Sequence, residues 1–181
     1  MRLNKPRISP LPPEQIDAIT RERFGAGRLA NIFATLAHHP DLLKRWVVFG
    51  NHVLSKSTLE PRERELVILR VGWLCQAGYE WGQHVVIGKR DGLSIDEIGR
   101  IPEGSEAPGW SDLERALLRA TDELHEDRFI RDATWSALCE YYDTKQLMDL
   151  LFTIGQYELV SMVLNTLGVQ LDPGLGGLPT P

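Results

Sequence analysis

Glu80 and His84 stand four residues apart in the stretch LCQAGYEWGQH, Leu74 to His84. On a helix that spacing puts both side chains on one face, a single turn apart. Ala77 lies one turn earlier, and Trp73 and Ile87 extend the same side with apolar surface. A solvated face would carry Lys, Glu and Gln there, so a titratable pair among large apolar groups has the composition of a pocket wall. A Glu–His pair near neutrality is suited to moving a proton in a general acid–base step.

Glu65 is the third candidate, in RERELVILRV. It shares a helix side with Leu69 and Gly72 and is expected to point inward, whereas Arg62, Glu63 and Arg64 read as solvated. If the two helices pack antiparallel, Glu65 approaches His84 from the facing one. Tyr79, next to Glu80, adds a hydroxyl if it too faces inward. The same residues also admit a structural reading, as a mutually satisfied core pair or an exposed pair that steadies its helix by a few tenths of a kcal/mol. A metal site would need Glu65 or His52 recruited from elsewhere, because neither HExxH nor a Glu-x-x-His repeat occurs. No metal and no organic cofactor is therefore expected.

The elements that must carry these residues are helical. PPEQIDAITRERFG opens with prolines and ends at Gly25, as a short helix prefers. LANIFATLAHHP places Leu29, Ile32, Phe33, Leu36 and Ala37 on one stripe, and Asp41 is expected to cap the helix that follows. Pro61 opens LEPRERELVILRVGWL, and Gln76 to Arg90 should form the helix of the Glu–His pair. Ser94 with Glu97, and Ser111 with Glu114, have capping-box spacing. Further helices are expected from about Asp132 to Tyr142 and from about Thr144 to Leu167, with Gly168 as the stop and a Gly/Pro-rich tail unable to fold alone. Alternating strand patterns and hairpin signals are absent, which makes the fold class all-α. LEPRERELVILRV and WSDLERALLRATDEL share a capped start and a similar stripe, as a duplicated helical unit would, but capped helices resemble one another in any case.

The 181 residues are most simply one domain, 1–181, with its core over about 25–170. Hydrophobic content of 43% with 25% charged residues is globular, and a net charge of −5 without a basic block gives nucleic acid nothing to bind. LMDLLFTIGQYELVSMVLNTLGV is the only stretch that suggests a membrane. Asp149, Gln156, Glu158 and Asn165 interrupt it, so it reads as a buried helix and no membrane is expected. No secretory signal opens the chain, and Cys75 and Cys139 lack CxxC or metal-ligand spacing, as small core residues of a cytoplasmic protein would. His38, His39 and His125 fall near helix ends, where histidine often meets the dipole. The five tryptophans read as core or subunit-contact residues. There is neither a glycine-rich phosphate loop nor a GxSxG elbow.

Over ERELVILRVGWLCQAGYEWGQHVVIGKRDGLSIDEI, residues 63–98, together with ANIFATLAHHPDLL and the late apolar helix, the chain resembles the carboxymuconolactone decarboxylase family, which includes the alkylhydroperoxidase D-like proteins. The resemblance implies an alkylhydroperoxidase D-like helical bundle that assembles into homotrimers or homohexamers. In the hydroperoxidase branch a CxxC precedes the histidine; aligned on His84, those cysteines fall on Ala77 and Glu80. Both sulfurs of a thiol–disulfide cycle are thus missing, and Cys75 stands two residues too early. The decarboxylase branch keeps a glutamate four residues before the histidine, matched by Glu80 and His84, while Glu65 falls on the proton-relay glutamate of the other branch. The implied activity is that of a cofactor-independent lyase or isomerase working on a small carboxylated lactone or carbonyl compound. His84, Glu80, Glu65 and Tyr79 would be its site residues. Peroxiredoxin-type antioxidant activity and a non-catalytic ligand-binding oligomer are the alternatives.

Overall fold

The computed structural model describes residues 1–16 and 29–179, and no strand occurs among them. Eight α-helices follow one another: α1 Asn31–Leu36, α2 Pro40–Ser55, α3 Pro61–Leu74, α4 Gly78–Arg90, α5 Ile95–Arg100, α6 Asp112–Asp127, α7 Asp132–Cys139 and α8 Thr144–Leu167. Of the helix expected over PPEQIDAITRERFG, only the 3-10 turn Pro13–Gln15 lies within the described residues.

The bundle is built around α3. Every residue from Arg64 to Gly72 is buried, so this stretch meets protein on all sides, its charged Arg64, Glu65 and Arg70 included. It packs against α4, α6 and α8. Val67, Ile68 and Val71 meet Leu117 of α6 and Leu150 and Ile154 of α8 in the main core. Leu66 and Leu69 meet Trp81 and Leu118 in a second one. Gly88 permits the close crossing of α4, since a Cβ there would lie 3.1 Å from Leu93 and 3.4 Å from Leu69.

Several helix ends follow the sequence. The capping boxes Ser94/Glu97 and Ser111/Glu114 both form, and Gly168 closes α8 in a left-handed turn. Others differ. His39, not Asp41, caps α2: Pro40 takes the first helical position, so the cap falls one residue before it, and the imidazole accepts from Leu42 N–H. Gln76 is left-handed, with φ 52°, which breaks the chain between α3 and α4 and delays α4 to Gly78. Helix α7 ends at Cys139 rather than Tyr142. Helix α8 is apolar enough to cross a membrane by length and composition alone, but half of its most apolar window is buried against the protein. The Gly/Pro-rich tail is held as well. Asp172 accepts from Asn31 N–H, Tyr79 Oη–H and Gln83 Nε2–H, tying the C-terminal segment to α1 and α4.

Arg62 joins the two capping boxes by pairing with both Glu97 and Glu114. Its guanidinium holds the Glu97 carboxyl down at about 2. A depressed carboxyl stabilises the fold above its ordinary value of 4.5, and this contribution is lost as pH falls toward 2. Arg62→Ala should therefore destabilise at pH 7 by ~1–2 kcal/mol in urea melts, with the difference from wild type shrinking at pH 3. Equal differences at both pH values would remove Arg62 from this role.

Candidate active site

Between α1, α2, α4 and α8 lies a pocket of about 380 Å³ whose wall is mainly apolar. Phe33, Trp46, Val160 and Leu164 supply apolar surface, while Tyr79, Glu80, Gln83, His84, Gln156 and Tyr157 bring polar atoms to it.

His84 is held from below. Its Nδ1 lies 2.7 Å from Oε2 of Glu65, whose side chain is completely buried on α3. With the carboxylate as acceptor, Nδ1 carries the hydrogen and Nε2 remains free. The other oxygen of Glu65 accepts from Arg64 Nε at 3.2 Å, and Arg64 also reaches Asp91 at 3.0 Å. Arg64, expected in solvent, is thus buried beneath the site. The imidazole also packs edge-on against Tyr157, with ring centroids 4.9 Å apart at 89°.

Glu80 has a different environment. No hydrogen bond joins it to His84; the ring's orientation is set by Glu65 on the facing helix, not by the neighbour one turn away. Oε2 of Glu80 lies 3.4 Å from the Ser161 hydroxyl. Oε1 is buried without a hydrogen-bond partner among the described residues, as is Oε1 of Gln156. Burial pushes the Glu80 carboxyl well above its ordinary range; the Ser161 hydroxyl opposes this, and the charges of Glu158 and Glu65 add to it. A neutral carboxylic acid with an unpartnered oxygen in an apolar pocket is a hydrogen-bond donor waiting for an acceptor. Burial likewise raises the Tyr157 phenol, with Glu80 and Glu65 adding to the effect, so its hydroxyl stays protonated.

Tyr79 faces inward, but its hydroxyl is already in use. It donates to Asp172 at 2.6 Å and accepts from Ile32 N–H and from Gln83. Burial and Asp172 together raise this phenol strongly. Cys75 lies outside the pocket lining, and burial followed by the Glu158 charge pushes its thiol up to about 12. At neutral pH it is a thiol, not a nucleophilic thiolate.

Residues 40–123 match the model of the carboxymuconolactone decarboxylase family. The chain is similar to that family over this span. Within that span lie Glu65, Tyr79, Glu80 and His84. Among solved structures, the chain is similar to the alkylhydroperoxidase AhpD core of a peroxidase-related protein from Ralstonia eutropha JMP134. That likeness has 20% identity and a TM-score of 0.80, covering 92% of this chain and 93% of the other. A peroxidase-related protein from Silicibacter sp. TM1040 is 17% identical, with a TM-score of 0.73 over 95% of this chain and 92% of its own. A cysteine-to-alanine variant of the debrominase Bmp8, in complex with 2,3,4-tribromopyrrole, is 15% identical, with a TM-score of 0.76 over 92% and 91%. These likenesses show an AhpD-like fold. No curated protein matches the sequence.

Sequence reasoning about the family motif does not reach Tyr157, Gln156, Ser161 or Asp172. The signal for the first three was present as polar residues in the apolar helix α8, where GQYELVS reads only as an argument against a membrane span. Nothing local marks Asp172, because its partners lie 89 to 141 residues away.

The raised Glu80 carboxyl has a pH consequence. The folded chain keeps a proton there after an unfolded glutamate, at about 4.5, has lost it. The folded state therefore binds more protons, and stability falls as pH rises from 4.5 toward the raised value. The loss is at most ~1.4 kcal/mol per pH unit. Glu80→Gln keeps the shape and removes the proton, so its melting temperature should gain on wild type steadily from pH 5 to pH 8. Parallel melting curves across that range would mean that Glu80 is not held neutral.

Proposed function

We propose that the chain is a cofactor-independent acid–base enzyme, a lyase or isomerase acting on a small carboxylated lactone or carbonyl compound. The observation that carries this reading is Glu80, a buried acid with one oxygen unpartnered among the described residues, in the same apolar pocket as an imidazole fixed from behind by a carboxylate. These are the parts that decarboxylation into a conjugated carbonyl demands. As the carbon–CO2 bond breaks, its electron pair flows toward the carbonyl oxygen, which becomes an enolate. A neutral acid at that oxygen stabilises the developing charge, more strongly in an apolar pocket than in water. A proton must then be delivered to carbon. In this proposal Glu80 donates a hydrogen bond to the enolate oxygen, and His84 takes up a proton from solvent at its free Nε2 and delivers it to carbon. Glu65 holds the ring in one tautomer. Tyr79 acts with Asp172 to shape the pocket wall, a positioning rather than a proton-transfer role.

The likeness to peroxidase-related proteins favours a second reading, peroxide reduction. Against it stand the missing CxxC and a Cys75 thiol that is raised and outside the pocket. A cytoplasmic setting belongs to the leading proposal, in keeping with free Cys75 and Cys139.

Ultraviolet-monitored turnover of 4-carboxymuconolactone tests both readings. Wild type should turn over, whereas Glu80→Gln, His84→Ala and His84→Gln should each lose about 10²-fold or more in kcat while remaining folded by circular dichroism. Cys75→Ser should leave the rate intact. Turnover unaffected by the Glu80 and His84 variants would overturn the assignment, and peroxide reduction abolished by Cys75→Ser would establish the second reading.

Self-association is part of the same proposal. Met148, Phe152, Leu159 and Met162 form an exposed apolar stripe along α8, each about half exposed, and Phe49 of α2 packs edge-on against Phe152. A second copy of this stripe is the occupant that would bury it. Light scattering should give the mass of three or six chains, and Phe152→Asp should lower it; a monomeric wild type would refute the assembly.

A further inference from the structure

A second cluster of reactive side chains lies apart from the pocket. Cys75 follows the end of α3, His125 sits in the last turn of α6, and Glu158 lies midway along α8. None of the three lines the pocket. Their donor atoms nevertheless converge: Nδ1 of His125 is 2.6 Å from Oε1 of Glu158, and Sγ of Cys75 is 3.3 Å from Oε2 and 3.9 Å from Nδ1.

A nucleophile relay would use both ring nitrogens, one toward the sulfur and one toward the carboxylate. Here the same nitrogen, Nδ1, faces both. Three donors aimed at one point form a ligand set, not a relay. We propose that Cys75, His125 and Glu158 are a Zn²⁺ site with three protein ligands and a fourth position open to solvent.

The spacing fits that cation. Bonds of ~2.0 Å to nitrogen and oxygen and ~2.3 Å to sulfur put tetrahedral donors about 3.3–3.5 Å apart. The two sulfur distances, 3.3 and 3.9 Å, bracket this value. With Oε1 as the carboxylate ligand, the His125–Glu158 contact must open by roughly 0.7 Å and the carboxylate must turn so that the same oxygen, rather than Oε2, meets the sulfur; the three ligand atoms already lie within 4.8 Å of one another, and the His125 and Glu158 side chains are 30% and 17% exposed. Mixed sulfur, nitrogen and oxygen donors suit zinc rather than magnesium or calcium. A thiolate and a carboxylate together neutralise the ion. Glu80 does not compete for it, because its carboxyl is held neutral.

The backbone fixes the sulfur ligand. Asn165 Nδ2 donates to the Cys75 carbonyl at 2.8 Å, and Arg2 does so at 3.3 Å. Gln76 takes a left-handed conformation immediately afterwards, and its amide reaches back to the Trp73 carbonyl at 2.8 Å. Binding forms Zn–S, Zn–N and Zn–O bonds and breaks the Cys75 S–H bond. That proton leaves to solvent, and the one between His125 and Glu158 moves to Nε2 or to solvent. No oxidation state changes.

The test uses untagged, chelator-stripped protein, titrated with ZnCl₂ in a calorimeter under a non-thiol reductant. One equivalent per chain is expected in wild type and in Cys139→Ser, which removes the other thiol. Cys75→Ser, His125→Gln and Glu158→Gln should each weaken binding about tenfold or more. Co²⁺ in unaltered protein should give a near-ultraviolet thiolate charge-transfer band, which requires no variant to fold. Zinc should also protect Cys75 from alkylation while exposed Cys139 still reacts. Stoichiometry well below one, an affinity unchanged by all three variants, or Co²⁺ bound without the thiolate band would each overturn the site.

Discussion

The structure depends on one constraint: a helix buried on every side must satisfy its own polar side chains inside the protein. Helix α3 carries Arg64, Glu65 and Arg70 with none more than 8% exposed. Each must find a partner on a neighbouring element, because removing one member of a buried pair costs about 3–5 kcal/mol. Arg64 reaches Asp91, Glu65 reaches His84, and Arg70 reaches Asp122 and the carbonyls of Ile101 and Pro102. These contacts hold α4, α6 and the 3-10 turn after α5 against α3. The contact that orients His84 therefore also belongs to the bundle's polar framework.

Two glutamates lie within reach of the site, and their surroundings separate them. Glu65 has a guanidinium on one oxygen and an imidazole on the other. Glu80 has one long contact to a hydroxyl and nothing on its second oxygen among the described residues. Burial pushes the Glu80 carboxyl toward its neutral form. Such a contrast is how a single pocket assembles a positioning carboxylate and an acidic donor from one residue type.

The fold supplies the scaffold, and a few side chains decide what the scaffold does. The similar structures share the AhpD-like fold at 15–20% identity, which leaves room for different chemistry in the same pocket. In this chain the pocket carries Glu80 rather than a thiol, and Cys75 caps the end of α3, just before the left-handed turn at Gln76. It meets His125 and Glu158 there instead of the pocket.

The sequence by itself determined the helical class and most helix ends, and it singled out Tyr79, Glu80 and His84, which line the candidate pocket. Capping boxes, proline starts and the Gly168 stop are local features, set by backbone groups within a few residues of the side chains that satisfy them. The inward face of Glu65 was legible for the same reason, through its spacing to Leu69 and Gly72. Its partnership with His84 was legible only as a consequence of antiparallel packing. What tertiary structure alone decided is who bonds to whom. Spacing along α4 suggests that Glu80 serves His84, yet Glu65 arrives from another helix to bond the ring and Glu80 is left with the Ser161 hydroxyl. Arg64, with charged neighbours on both sides, gives no sign of burial. The Asp172 tether and the Cys75–His125–Glu158 cluster join residues 33 to 141 positions apart. Helical periodicity fixes which face a side chain occupies, but only packing fixes what that face meets.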